Sequence, residues 1–174
     1  ILVAAAGVAS SAPFLKTDAA LLERLVAVNV GGVLEACRLV LPGMTEAGFG
    51  RVVAIASTAA LRGYAYASAY AASKHAVLGL VRSLALEVAT RGVTVNAVCP
   101  GFADTAMTAE SIARIVERTG RSEAAARAAL ADTNPMRRLV SVEEVADAVA
   151  WLVGPGASAI TGQAIAVAGG EVTA

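Results

Sequence analysis

A doubly wound α/β fold built on a parallel sheet is what this 174-residue sequence predicts. Three features point to it. Strand-like and helix-like runs alternate along the chain; the strand-like runs are continuously apolar, as strands covered on both faces are; and glycine, proline or serine marks each changeover.

The elements follow in order. Ile1, Leu2 and Val3, with small residues through Gly7, read as a short buried strand closed by a tight turn. A loop with Ser10, Ser11 and Pro13 comes next. From Thr17 or Asp18, both suitable N-caps, apolar residues recur at Leu21, Leu22, Leu25, Val26, Val30, Val33, Leu34 and Leu41. That period predicts one long helix ending at Pro42 and Gly43. Residues 51–55 form a second β-branched strand, followed by a polar connection to about Tyr66. Alanine and leucine content predicts a helix over 68–90 with its exit at Arg91 and Gly92, then a third strand over 93–98 stopped by Pro100 and Gly101. Residues 106–135 are the most polar stretch, with Arg114, Glu117, Arg118, Arg121, Glu123 and Arg127 at helical spacings, and read as a solvated helical excursion. Ser141 and Glu144 have the spacing of a capping box ahead of a helix carrying Val145, Val149 and Trp151, which ends near Gly154, Pro155 and Gly156. Residues 163–167 supply a fourth strand. No repeat or long linker divides residues 1–174, so a single domain is expected.

Composition narrows the function. Hydrophobic residues make up 57% of the chain and charged residues 16%, which suits a substantial core and excludes disorder. Fourteen basic residues balance fourteen acidic ones, so nucleic acid and anionic membrane surfaces are not expected partners. No uninterrupted apolar run reaches the roughly 18 residues of a membrane span, and a soluble, cytoplasmic protein is expected. Cys37 and Cys99 are far apart with no thiol or histidine at ligand spacing; both read as buried reduced thiols, and no metal site is expected. Ile1 opens directly into a strand-like run, so the chain is expected to be part of a longer protein.

In open α/β sheets ligands sit outside the carboxyl ends of the strands, which nominates residues 4–7, 57–61 and 100–105. Tyr70 and Lys74 are four apart on the helix after the second strand and share a face, so both can approach one ligand. Ser57 stands 13 residues before Tyr70 at a strand end, where its hydroxyl can come beside the phenol. Asn29 lies in mid-helix, where its poor propensity calls for a reason. His75 points about 100° away from Lys74 around the helix and reads as a surface residue.

Together Asn29, Ser57, Tyr70, Lys74 and the pair Pro100 and Gly101 resemble the short-chain dehydrogenase/reductase family. The resemblance extends over nearly the whole chain. Leu2 to Gly7 is similar to the family's L-V-N-N-A-G strand end, with Ala4 and Ala5 in place of the asparagines, and Thr105 matches the threonine of its P-G-x-x-x-T segment. Ala168 stands where an aspartate often precedes Gly169 and Gly170. The resemblance implies a Rossmann-like fold and hydride transfer between NAD or NADP and a carbonyl or alcohol. It also implies a cofactor surface formed by Ala5, Gly7, Tyr70, Lys74, Pro100, Gly101, Ala103 and Thr105. Tyr70 would then be the general acid and base, Ser57 would orient the substrate oxygen, Lys74 would hold the ribose, and Asn29 would position a water that relays protons from Lys74. A free tyrosine loses its proton near pH 10, so the neighbouring ammonium of Lys74 is expected to make the phenol more acidic. Leu61, Tyr64, Phe102 and Met107 are candidate pocket walls beside Ser57.

The family's glycine-rich T-G-x-x-x-G-x-G turn, which receives the pyrophosphate, does not occur in these 174 residues. Roughly 60 to 80 upstream residues would hold it, judging from the size of βαβ units. Activity is accordingly expected of the full-length parent, with weak or no nucleotide binding by the segment alone. The arginine-bearing excursion lies where relatives carry a substrate lid, and its cations favour an anionic 3-oxoacyl or 3-hydroxyacyl thioester over a plain ketone. Helices apolar on more than one face must bury those faces against something, and the resemblance, in whose members these helices pair between subunits, implies a homo-oligomer, a tetramer in the parent. The alternative is a non-catalytic nucleotide-sensing or interaction module of the same fold.

Overall fold

The computed structural model describes residues 1–173. Four strands, β1 (Leu2–Ala4), β2 (Gly50–Ile55), β3 (Val93–Pro100) and β4 (Ala164–Val167), pair in the order β1-β2-β3-β4, every pair parallel. The register sets Val3 beside Val53, Val53 beside Asn96 and Ala97 beside Ala164. Because all strands run the same way, the loops after Ala4, Ile55 and Pro100 emerge along one edge, where the sequence placed the ligand crevice.

Alternation along the strands divides the core. Val52, Ala54, Val95, Ala97 and Cys99 face α2 (Gly32–Glu46) and α3 (Ser68–Val88), packing with Val33, Cys37, Val77, Val81 and Ala85. Val53 and Val98 face the other way, onto Leu152 of α6 (Val142–Val153). Both faces are dry, which is why these strands read as unbroken apolar runs. The polar Asn96 is admitted to β3 because both ends of its amide are bonded: Nδ2 donates to Ile160 O at 2.8 Å and Oδ1 accepts from Gln163 N at 3.0 Å.

Several boundaries differ from the sequence reading. The first long helix begins as expected, with Asp18 accepting from Leu21 N at 2.8 Å, but it comprises α1 (Ala19–Val26), a π-helical turn (Ala27–Gly31) and α2. It passes through Pro42 and Gly43 and ends at Glu46, where Ala47 N donates to Gly43 O and Gly48 takes φ +64°. A proline this near the end of a helix forfeits one backbone bond, and Thr45 Oγ1 donates to the carbonyls of Leu41 and Pro42 around it. β3 runs on to Pro100, a residue that a strand tolerates at its last position. The polar excursion is two helices, α4 (Ala106–Thr119) and α5 (Glu123–Ala131), divided at Gly120 and capped by Thr105 and Ser122. The capping box of Ser141 and Glu144 is formed as expected.

The span Ala19–Glu46 is long and apolar enough, by length and composition alone, to cross a bilayer, with a mean hydropathy of 1.6. In the fold its Leu25, Asn29, Val33, Cys37 and Met44 are buried, whereas Leu22, Val26, Leu34 and Leu39 are exposed.

Gly92 lies in the left-handed region at φ +70°, and a Cβ there would sit 2.1 Å from Gly48 O. The turn leading into β3 therefore packs against the turn leading into β2. Gly92→Ala is expected to lower stability by more than about 2 kcal/mol, since strain and a backbone collision add; urea unfolding of the two proteins measures it.

Candidate active site

Ser57 follows β2 with extended backbone, and its Oγ accepts from Ala59 N at 3.1 Å, capping the short turn Thr58–Ala60. That turn holds the serine at the crevice edge before α3 begins. On α3, Tyr70, Ser73 and Lys74 lie within about one turn and face inward. Lys74 is 5% exposed; its Nζ donates to Ile55 O at 3.0 Å and lies 5.9 Å from the centroid of the Tyr70 ring. The ammonium thus ties the helix to the last residue of β2.

Asn29 is 1% exposed in the π turn. Its Oδ1 accepts from Val8 N at 2.9 Å, and its Nδ2 donates to Val8 O at 3.0 Å and to Ser73 Oγ at 2.9 Å. The side chain is a strut between the loop after β1 and α3, and both amide hydrogens are committed to it. A π bulge explains how asparagine fits in mid-helix, because the extra residue turns the side chain inward. Gly7 completes the cradle: a Cβ there would lie 3.2 Å from Asn29 Oδ1 and 3.5 Å from Lys74 Nζ.

The electrostatics depart from the sequence expectation. Burial raises the Tyr70 phenol above its ordinary value, with the Ser57 hydroxyl acting in the opposite direction. Burial also pulls Lys74 down to about 8, the neighbouring Cys99 opposing it. The acidified phenol expected from the four-residue spacing does not arise in the chain by itself, because desolvation of the buried phenol is the larger effect. Burial pushes the Cys99 thiol up to about 11, against the backbone of Ser57, Lys74 and Arg82. Cys99 and Cys37 are both free and buried.

The cofactor and substrate candidates divide. Gly7, Ser57, Tyr70 and Lys74 belong to one cluster, with Asn29 bracing it. Ala5 is exposed just beyond β1. Pro100 and Gly101 end β3, Gly101 N donating to Val167 O at 3.1 Å. Ala103 bridges to Val140, and Thr105 caps α4 by accepting from Thr108 N at 3.4 Å. The Thr105 hydroxyl is therefore held in a helix cap. Tyr64 and Phe102 meet edge to face with centroids 6.4 Å apart. Leu61 packs on the main core, and Met107 sits 38% exposed on α4 without contributing to the cluster around Ser57. Among the excursion's arginines, Arg127 pairs with Asp104 at 2.6 Å and Arg114 with Glu110 at 3.8 Å, so these two cations already have partners. His75 is exposed, with Nδ1 2.9 Å from Ala71 O, and takes no part in the cluster.

Sequence reasoning missed five partners: Ser73, Cys99, Thr58, Glu171 and the carbonyl of Ile55. Ser73 was within reach of inspection, since a polar residue between Tyr70 and Lys74 on a buried helix face needs a partner. The others depend on which strand ends and loops meet, which no local pattern encodes.

A family model described as Enoyl-(Acyl carrier protein) reductase matches residues 1–171. The chain is 39% identical over 146 residues to the 3-oxoacyl-[acyl-carrier-protein] reductase of Pseudomonas aeruginosa, covering 84% of this chain and 55% of that protein. It is 35% identical over 149 residues to the D-beta-hydroxybutyrate dehydrogenase of Rhizobium meliloti, covering 85% of this chain and 58% of that protein. The crystal structure of F189W actinorhodin polyketide ketoreductase with NADPH superposes with a TM-score of 0.90 at 39% identity, over 97% of this chain and 66% of that one. The chain thus spans between 55% and 66% of the length of these relatives. With the parallel sheet, the Ser57, Tyr70 and Lys74 cluster and a family match over almost every residue in agreement, the chain belongs to the short-chain dehydrogenase/reductase family.

Proposed function

We propose that this chain carries the catalytic set of an NAD(P)-dependent oxidoreductase that moves hydride between nicotinamide and a carbonyl or alcohol. Its preferred substrates are 3-oxoacyl or 3-hydroxyacyl thioesters or small ketones. One observation carries the reading: the phenol of Tyr70, the hydroxyl of Ser57 and the ammonium of Lys74 meet at the carboxyl edge of a parallel sheet, with Asn29 bracing the loop opposite. The intact set favours turnover over a nucleotide-sensing role. The thioester preference is supported by the names of relatives such as the acyl-carrier-protein reductase. The excursion's arginines support it less, since Arg114 and Arg127 are already paired.

The cradle suits a nicotinamide nucleotide. Gly7 has no side chain where a Cβ would crowd Asn29 and Lys74, leaving backbone and ammonium open to a sugar hydroxyl. Gly7, Tyr70, Lys74 and the turn at Pro100 and Gly101 would hold the group, which supplies hydride when bound. Ser57 Oγ donates to the carbonyl oxygen and steadies the charge that develops there. Tyr70, kept neutral by burial, gives that oxygen its phenolic proton in reduction; the resulting phenolate faces Lys74, whose cation stabilises it. In oxidation the phenolate takes the alcohol proton back.

We further propose a homo-oligomer, a tetramer, formed through the apolar surface that α1, α2 and α3 leave uncovered. Leu39 is 82% exposed there and Leu86 is 83% exposed. Light scattering should give a mass several times that of one chain, and the double change Leu39→Glu with Leu86→Glu should reduce it; a monomer before substitution rejects the assembly.

Both catalytic expectations apply to the longest reading frame that contains the chain. Tyr70→Phe should lower kcat for ketone reduction by about 10²- to 10⁴-fold, measured by loss of NADPH or NADH absorbance; retention of the unsubstituted rate removes the proposed acid. For pH, Lys74 must be charged to support the phenolate. kcat/KM for reduction is therefore level below about pH 8 and falls as the pH rises through that value. In Lys74→Ala the limb near 8 should vanish, and a limb that persists contradicts the role of the lysine.

A further inference from the structure

The most unusual polar group outside the catalytic cluster is Glu171, in the segment that follows β4. Tyr64 Oη lies 2.7 Å from Thr58 Oγ1 and 2.5 Å from Glu171 Oε1. A phenol has one proton and a carboxylate only accepts, so Tyr64 donates to Glu171 and the Thr58 hydroxyl donates to Tyr64. The second carboxylate oxygen, Oε2, is buried and has no hydrogen-bond partner among the described residues. It rests against Gly101, where an added Cβ would stand 2.8 Å from it. Gly101 is therefore the seat of this carboxylate as well as the turn that ends β3.

Among the described residues no cation forms an ion pair with the carboxylate. The guanidinium of Arg62 lies over the Tyr64 ring, 4.9 Å from its centroid, and Nη1 donates to the main-chain oxygen of Glu171 at 3.4 Å rather than to its carboxylate. Phe102 holds the ring edge to face. Thr58 is next in sequence to Ser57 and Gly101 next to Pro100, which puts the carboxylate among the loops that carry the proposed carbonyl site. An unneutralised, poorly solvated carboxylate repels a second carboxylate and tolerates a neutral ester or thioester.

We propose that Glu171 is a specificity-determining residue of the carbonyl site: it clamps Tyr64 beside Ser57 and sets a negative charge on the pocket wall, so that neutral 3-oxoacyl esters and thioesters are accepted and free 3-oxo acids are refused. This rests on the carbonyl-reductase reading and narrows its substrate class. The clamp also accounts for the high value of the Tyr64 phenol, pushed up to about 12 by burial and by its bond to Glu171.

The test compares methyl acetoacetate with acetoacetate, which offer the same reacting ketone and differ in charge. Wild type should favour the ester in kcat/KM at pH 7, and Glu171→Gln, which keeps the side chain's size and its acceptor for Tyr64, should narrow that preference about tenfold. Glu171→Asp, which restores the charge, should recover part of the preference. An ester-to-acid ratio that is the same in wild type and Glu171→Gln overturns the role of Glu171 while leaving the reductase reading intact. All of these assays use the longest reading frame that contains the chain, and its failure to reduce either compound with NADH or NADPH overturns the reductase reading and the specificity with it. Should Glu171→Gln fail to fold, Glu171→Ala, which also removes the charge, should narrow the ratio too, and an unchanged ratio there counts against the proposal. Ultraviolet titration of the tyrosines reads the clamp without turnover: the most basic phenol should titrate lower in Glu171→Gln, and an unmoved curve overturns the clamp.

Discussion

Lys74 holds its ammonium 3.0 Å from the carbonyl oxygen of Ile55, at the point where β2 ends and the loop bearing Ser57 begins. Burying a cation is costly unless something receives it. Here the lysine gives up part of its basicity and keeps one strong acceptor. In return α3 is pinned in depth and rotation against the sheet. The placement of Tyr70 one turn earlier follows from it, as does the phenol's position against Ser57. Had the lysine reached solvent, the helix could slide along the apolar strand face at little cost, because aliphatic contacts carry no directional preference.

The opposite wall of the crevice depends on a second polar contact of the same kind. Asn29 closes a two-way bond with the backbone of Val8 and a third bond with Ser73, spanning the loop after β1 and the helix that bears Tyr70. The π turn costs α1 and α2 their regular hydrogen-bond ladder. That local loss persists because the asparagine it turns inward is fully satisfied in a dry site, where an unpaired amide would be costly. The alanines at positions 4 and 5 leave the end of β1 without polar side chains, so this bracing falls to Asn29 and the main chain of Val8.

The end of the chain contributes more to the crevice than its small residues suggest. Gly169 and Gly170 take left-handed conformations at φ +58° and +87°, and a Cβ on Gly169 would lie 2.7 Å from Asn134 Oδ1. This close approach lets the segment after β4 fold back over Gly101 and bring Glu171 to Tyr64. The loop after β2, the turn after β3 and the segment after β4 become one polar cluster in the loops that follow Ser57 and Pro100. The surface that α1, α2 and α3 leave uncovered is of a different nature, carrying the exposed leucines Leu22, Leu34, Leu39 and Leu86.

Periodicity and motif spacing determined most of the fold and the candidate site residues. Apolar runs of strand length alternating with helical periods require a parallel sheet covered on both sides, and the capping box of Ser141 and Glu144 is a local code that survives in the structure. Tyr70 and Lys74 had to share a face because 3.6 residues make a helical turn. Tertiary structure decided what local rules could not reach. Pro42 reads as a helix stop, yet packing carried the helix on to Glu46. Tyr70 and Lys74 read as a phenol acidified by a cation, yet Lys74 is buried and Tyr70 partly so, and desolvation depends on every neighbour rather than on spacing. Glu171 and Tyr64 are 107 residues apart, and only the chain's return past Gly101 makes them partners. Sequence specifies groups whose geometry is set within a turn or two of backbone; dielectric surroundings and contacts between distant loops exist only once the sheet has assembled.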